Sequence, residues 1–253
     1  MNNILIAHRG NRSVRAENTM DSFYDSINKC SMIEFDVQLT KDKVPVVIHD
    51  YTINRTSNID SNKDIYICDL TFNELKQYDF SMWFLEKDPF DTIKNNQLDT
   101  NLIKPQSIST LEEVLLFCKS NDVYANIEIK DMKGTKNDLL CVETILNVIQ
   151  DTNMENDVIV SSFNHSYLED CYKYNNRIKL GVLEENNINY DIVKYMNKIN
   201  SKDFNCSDEL VNQALIDKLR LNDINVNVFT VNDKLRIKEL FSMGVYGIFT
   251  DFV

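Results

Sequence analysis

Four short stretches concentrate groups able to do acid, base or metal chemistry. ILIAHRG at 4–10 ends in His8-Arg9-Gly10, and VPVVIHD at 44–50 ends in His49-Asp50. MIEFDVQL at 32–39 carries Glu34 and Asp36, and YANIEIK at 124–130 carries Glu128 and Lys130. Two imidazoles titrating near neutrality can supply a general base and a general acid, each worth roughly 10²- to 10⁴-fold in rate. Side chains alternate along a strand, so Ile33, Phe35 and Val37 share one face and Glu34 and Asp36 the other. By the same parity Ala125, Ile127 and Ile129 oppose Asn126, Glu128 and Lys130. One such carboxylate pair suits a solvated strand edge equally well, but Glu128 repeats the pattern on a second strand end. Three carboxylates gathered on one side repel and take up protons unless a cation sits among them. Oxygen-only ligation points to one divalent cation, Mg²⁺ or Ca²⁺, and no pairing of His or Cys favours zinc. Arg9 and Lys130 are the natural anion ligands, the guanidinium by two-point contact and the ammonium as a point charge. Arg12 and Arg15 are further candidates for the anion, set against the usual solvation of loop arginines. Glu17 is expected to partner Arg9 or a histidine, Asn18 with Asp21 to cap a helix, and His165 to be structural. A metal, two histidines, an arginine and a lysine at one mouth describe a phosphoester site.

The elements that must hold these groups follow from periodicity. Strand-like runs occur at 4–10, 32–39, 124–130, 157–163, 179–185, 203–207, 225–231 and 246–252. Helical patterns at 18–30, 111–120, 138–151, 165–175, 190–200, 208–222 and 233–243 fall between them. Eight strands alternating with helices predict a single closed (β/α)₈ TIM barrel over 1–253, with active groups at the C-terminal ends of the strands. A doubly wound sheet is the rival, but no GxGxxG opens a helix after the first strand. Residues 44–107 break the alternation and are expected to form an insertion after the second strand, containing a hairpin arm and a short helix at 71–79. The sequence given ends straight after the eighth strand, so no eighth outer helix is expected.

The formal charge of −12 disfavours nucleic acid or an anionic membrane as a partner, and requires a local positive patch for any anionic ligand. No run of 18 apolar residues and no signal-like N-terminus is visible, which predicts a cytoplasmic protein with no stable membrane insertion. The six cysteines form no CxxC pair and read as reduced thiols.

At this point the chain resembles the glycerophosphodiester phosphodiesterase family. AHRGNRSVRAENTMDSFYDSI, IEFDVQLTKDKVPVVIHDYTINRTS, LTFNELKQYD, STLEEVL, NIEIK, SSFN, VFTVND and GVYGIFTDF carry the likeness, in order, over nearly the whole chain. The resemblance implies a metal-dependent (β/α)₈ barrel that takes a small glycerophosphodiester and releases glycerol 3-phosphate and an alcohol. It implies His8 and His49 as the acid/base pair, with a lean toward His8 as the acid. Arg9 and Lys130 become phosphate contacts, and Glu34, Asp36 and Glu128 metal ligands. Ala16, Ser109, Phe229 and Val253 depart from the usual family residues without removing a chemical group, and Phe229 is expected to shape the substrate pocket. Among the rivals, a metal-free barrel phospholipase C conflicts with the carboxylate set. A silent glycerophosphate-binding barrel conflicts with retention of both histidines. Lysophospholipase D activity would share every catalytic group, and the alcohol and the oligomeric state stay open.

Overall fold

The computed structural model describes residues 3–253. Nine strands and nine α-helices follow one another as β1 (Ile4–His8), α1 (Met20–Ser26), β2 (Met32–Leu39), β3 (Pro45–Val47), α2 (Phe72–Leu75), α3 (Trp83–Lys87), α4 (Leu111–Ser120), β4 (Tyr124–Ile129), α5 (Cys141–Asp151), β5 (Val158–Ser162), α6 (His165–Tyr174), β6 (Lys179–Glu184), α7 (Ile192–Lys198), β7 (Asp203–Ser207), α8 (Gln213–Arg220), β8 (Asn225–Phe229), α9 (Lys234–Met243) and β9 (Gly247–Thr250). Eight of the strands pair in parallel around a ring in the order β1-β9-β8-β7-β6-β5-β4-β2, and pairing of β1 with β2 closes it. The fold is a (β/α)₈ barrel. Strand β3 is a hairpin arm that runs antiparallel to β2, with Val47 opposite Val37.

Strand parity builds two interiors. The outward residues Ile33, Phe35, Val37, Ala125, Ile127 and Ile129 are all fully buried beneath the helices, in the main core. Inside the ring, Ile6, Met32 and Phe249 form a small apolar cluster, while Asn126, Ser161, Asn205 and Asn227 supply buried polar side chains. No helix among the described residues is long and apolar enough to cross a membrane.

Several helix ends differ from the periodicity reading, each because of a cap. The first helix spans Met20–Ser26 rather than 18–30, and its N-cap is Thr19 in a reciprocal capping box with Ser22, not Asn18 with Asp21. The pattern over 208–222 splits into a 3₁₀ turn and α8, because the Asn212 side chain accepts from the Leu215 amide and starts a new helix. Between β3 and α4 the chain has two small apolar clusters of its own, one around Ile53, Ile67 and Phe80, the other around Trp83, Phe84 and Ile103. This segment carries His49 and its neighbours.

Candidate active site

Register explains why distant residues meet. In the parallel pairs His8 lies opposite Glu34 and Asp36 opposite Glu128, and neighbouring strands run about 4.8 Å apart. Glu34, Asp36 and Glu128 therefore each offer a carboxylate oxygen within 4.8 Å of the others, and all three are buried. Lys130 lies one step past β4, its Nζ 2.6 Å from Glu128 Oε1 and 3.4 Å from Asp36 Oδ1. Asp36 Oδ1 is buried and accepts no hydrogen bond. An all-oxygen donor set with an orphaned carboxylate oxygen at its centre fits a hard divalent cation.

The electrostatics carry the same message. Burial, then the charges of Asp36 and Glu128, holds Glu34 well above the usual carboxylate range, and burial and Asp36 raise Glu128. Burial alone would raise Asp36 too, but Arg9, Lys130 and His49 outweigh it and hold it low. Three buried carboxylates without a cation thus share too little positive charge to stay fully ionised.

Arg9 is placed by a sharp turn at the end of β1. Arg9 and Gly10 adopt φ of 55° and 80°, and a Cβ on residue 10 would lie 2.4 Å from Ser22 Oγ, so only glycine fits there. The turn aims the Arg9 amide at Glu34 Oε2 (2.9 Å) and brings the guanidinium within 3.2 Å of Asp36 Oδ2 and 2.9 Å of Glu17 Oε1. Asn18, itself at φ 56°, donates to Asp36 Oδ2 at 2.9 Å, a positioning contact in place of the expected cap.

Each histidine at the mouth is held by a carboxylate. His8 Nδ1 lies 2.7 Å from Asp251 Oδ1, and Asp251 Oδ2 accepts from Asn232 at 2.7 Å. His49 Nδ1 lies 2.7 Å from Asp50 Oδ1, and Arg55 grips Asp50 Oδ2 at 2.6 Å. In both cases the contact is made by Nδ1, and Nε2 has no hydrogen-bond partner among the described residues. Burial lowers the affinity of His8 for a proton, against the opposing pull of Asp251. Glu17 joins the two dyads: it accepts from Arg9, Arg12 and Arg55, while Arg12 reaches to 3.5 Å from Asp251. Burial alone would raise Glu17, but the Arg55 hydrogen bond and the arginine charges bring its carboxyl down to about 2.

A pocket of about 190 Å³ opens between His8, His49 and the carboxylates, with Phe163, Leu183 and Phe229 on its far wall. Phe163 and Phe229 meet edge to face, 5.7 Å between centroids. His8, Arg9, Glu34, His49, Glu128 and Lys130 line this pocket, Asp36 sits among them, and Glu17 stands behind Arg9 and Arg55. Sequence reasoning passed over Asp251, Arg55 and Asn232, gave Asp50 no role beyond its place next to His49, and read Asn18 as a cap. Only Asp50 had a local signal, its place beside His49; Asp251 is 243 residues from the histidine it orients. Of the two readings of Arg12, solvated loop residue or member of the site, the structure has the second: it is largely buried against Glu17, its side chain 17% exposed. His165 packs against Tyr195 and its Nε2 bonds the Leu183 carbonyl, away from the carboxylates.

Residues 8–253 match the sequence profile of the glycerophosphoryl diester phosphodiesterase family. A glycerophosphodiester phosphodiesterase of Bacillus altitudinis is 33% identical over 256 residues, 98% of this chain and 94% of that one. Its counterpart from Caldanaerobacter subterraneus is 31% identical over 99% of this chain and 95% of that one. Among solved structures, an Oleispira antarctica phosphodiesterase in complex with the product sn-glycerol-3-phosphate superposes with a TM-score of 0.81 at 21% identity, covering 98% of this chain and 92% of that one. The last comparison bears on the fold.

Proposed function

From the premise that the chain belongs to the glycerophosphoryl diester phosphodiesterase family, a phosphodiester hydrolase family, we propose that it converts glycerophosphodiesters to glycerol 3-phosphate and an alcohol by metal-dependent acid/base catalysis with His8 and His49. The observation that carries this reading is two histidine–carboxylate dyads facing one pocket with a three-carboxylate cluster at its floor. Glu34, Asp36 and Glu128 would hold the divalent cation, which supplies charge neutralisation at the phosphoryl oxygens.

The residues of the chain do the rest. Arg9 and Lys130, now paired with carboxylates, turn toward the phosphate as it enters and hold it in place. The glycerol hydroxyl next to the phosphate lies within reach of the phosphorus. One imidazole takes that hydroxyl's proton as the O–P bond forms, and the other delivers a proton to the departing alcohol oxygen as its P–O bond breaks. Water then opens the cyclic phosphate with the two roles reversed. Asp50 and Asp251 fix each ring and stabilise its imidazolium. Phe163, Leu183 and Phe229 face the departing alcohol.

Leaving-group dependence tests the acid/base assignment. A poor alkoxide needs protonation and an aryloxide needs it less. One of His8→Ala and His49→Ala is therefore expected to regain most of its loss on an aryl ester of glycerol phosphate, while the other stays inactive on alkyl and aryl esters alike. Equal losses for both variants on both substrates would refute the pairing.

A further inference from the structure

The opposite end of the barrel holds a second cavity that the reaction does not use. It measures about 420 Å³ and is lined by the first residues of the strands, among them Ile4, Met32, Tyr124, Val158, Lys179, Asp203 and Asn225. That volume falls in the range of small-ligand sites, about 300–1,000 Å³. Ile4, Ile6, Met32, Val158 and Ile159 give it an aliphatic wall, and Asp203 is its one carboxylate, beside Lys179, Ser31 and three asparagines.

Asp203 is only 7% exposed. Its Oδ1 accepts from Asn225 at 3.1 Å and from Asn227 at 3.2 Å, while its Oδ2 has no hydrogen-bond or ion-pair partner among the described residues. Burial pushes the carboxyl above the usual aspartate range in spite of the two amides and the charge of Lys179. Lys179 is the one cation on the wall, and it does not pair with Asp203. Its ammonium bonds the Asn156 carbonyl and lies over the Tyr124 ring, 5.7 Å from the centroid.

The remaining polar groups narrow the occupant. Asn227 also donates to Asn205 at 2.9 Å, and its Oδ1 is turned against β9, 2.5 Å from where a Cβ on Gly247 would be. Glycine at 247 is what lets this amide fit, and the amide oxygen is thereby removed from the cavity. A divalent metal ion wants six or more oxygens and finds one free carboxylate oxygen here. An anion would meet the Asp203 charge. A compact cation with an apolar surface meets a carboxylate with one free oxygen and an aliphatic wall, a combination that suits an alkylammonium group.

We propose that the N-terminal mouth of the barrel is a second ligand site, independent of catalysis, that takes a small organic ammonium compound with its cation on Asp203 and its alkyl groups against Ile4, Ile6, Met32 and Tyr246. The test follows side-chain amide and methyl resonances of the labelled full chain during titration with tetramethylammonium chloride at fixed ionic strength. Neutral tert-butanol, of similar shape, is the control. The expected result is saturable shifts at Asn225, Asn227 and Met32 with tetramethylammonium alone, and none at Asn18 or Leu183 of the catalytic mouth. Asp203→Asn, which keeps the oxygen that Asn225 and Asn227 bond, is expected to weaken binding by about tenfold or more. Ile159→Phe, which fills the cavity and leaves Asp203 in place, is expected to abolish it. Failure to saturate across the millimolar range, equal shifts with tert-butanol, unchanged affinity in Asp203→Asn, or shifts confined to the catalytic mouth would each overturn the proposal, the first of these marking a cavity that holds only water.

Discussion

At the C-terminal ends of its strands the barrel gathers Glu34, Asp36, Glu128, Arg9, Lys130 and two histidine–carboxylate dyads; at the N-terminal ends of the same strands it places aliphatic side chains, two tyrosines, three asparagines, one lysine and one carboxylate. The upper mouth answers nearly every charge with an opposite one, and its one deficit is the carboxylate cluster. The lower mouth leaves Asp203 answered by amides alone. What separates the ends is the turns. At its C-terminal end β1 passes into a loop that delivers charged partners, as Arg9 and Gly10 do with Glu17 and Asn18, while the N-terminal ends of β2 and β4 to β9 follow their preceding helices after turns of three to six residues.

The largest effect that would break this contrast lies at the upper mouth. Glu128→Gln is expected to cut kcat/KM by at least about a hundredfold, because a lost carboxylate weakens the ion and all it orients. Glu112→Gln, on the exposed face of α4, leaves activity unchanged. Steady-state kinetics on glycerophosphocholine checks the pair, and equal losses would misplace the site.

Glu17→Gln is expected to act through stability as well as rate. Its folded carboxyl sits at about 2, below the ordinary glutamate value near 4.3. A depressed folded value contributes stability above the unfolded value, and that stability is lost as pH falls toward 2. The variant should lose about 3 kcal/mol at neutral pH, since Arg9, Arg12 and Arg55 are left crowded without their shared partner. Its unfolding free energy should fall less steeply than the parent's between about pH 4 and pH 2, as read by denaturant titration at a series of pH values. A parallel pH dependence in the two proteins would mean that Glu17 does not hold the network.

The smallest effect belongs to the lower mouth. Asp203 has a raised folded value, so its contribution is fullest below the unfolded aspartate value near 3.9 and is lost as pH rises through the folded one. Asp203→Asn removes that loss. Activity should stay within about twofold, and stability at pH 7 should match or exceed the parent's. A large drop in either would join the two ends.

The alternation in MIEFDVQL and YANIEIK made the upper mouth legible, because a charged residue between buried apolar ones can face only the barrel interior. The strand count and the hairpin arm were equally plain. The positive φ of Arg9 and Asn18 was not, since no local pattern marks a non-glycine residue for the left-handed region. That is why Asn18 read as a cap when Thr19 does the capping. The sequence left Arg12 between solvation and a site role, because its partners, Glu17 and Asp251, come together only when the ring closes. Parity also puts Asp203 and Asn205 inside, but it cannot say that a cavity remains beside them.

The central proposal is that the upper mouth works only with a divalent cation on Glu34, Asp36 and Glu128. Its most direct test is the hydrolysis of glycerophosphocholine by protein stripped with a chelator, its metal content measured, and then titrated with Mg²⁺ or Ca²⁺. The account predicts that turnover vanishes on stripping and returns in proportion to bound ion, reaching its limit at one ion per chain. Unchanged turnover in excess chelator, with metal content confirmed at zero, would contradict it.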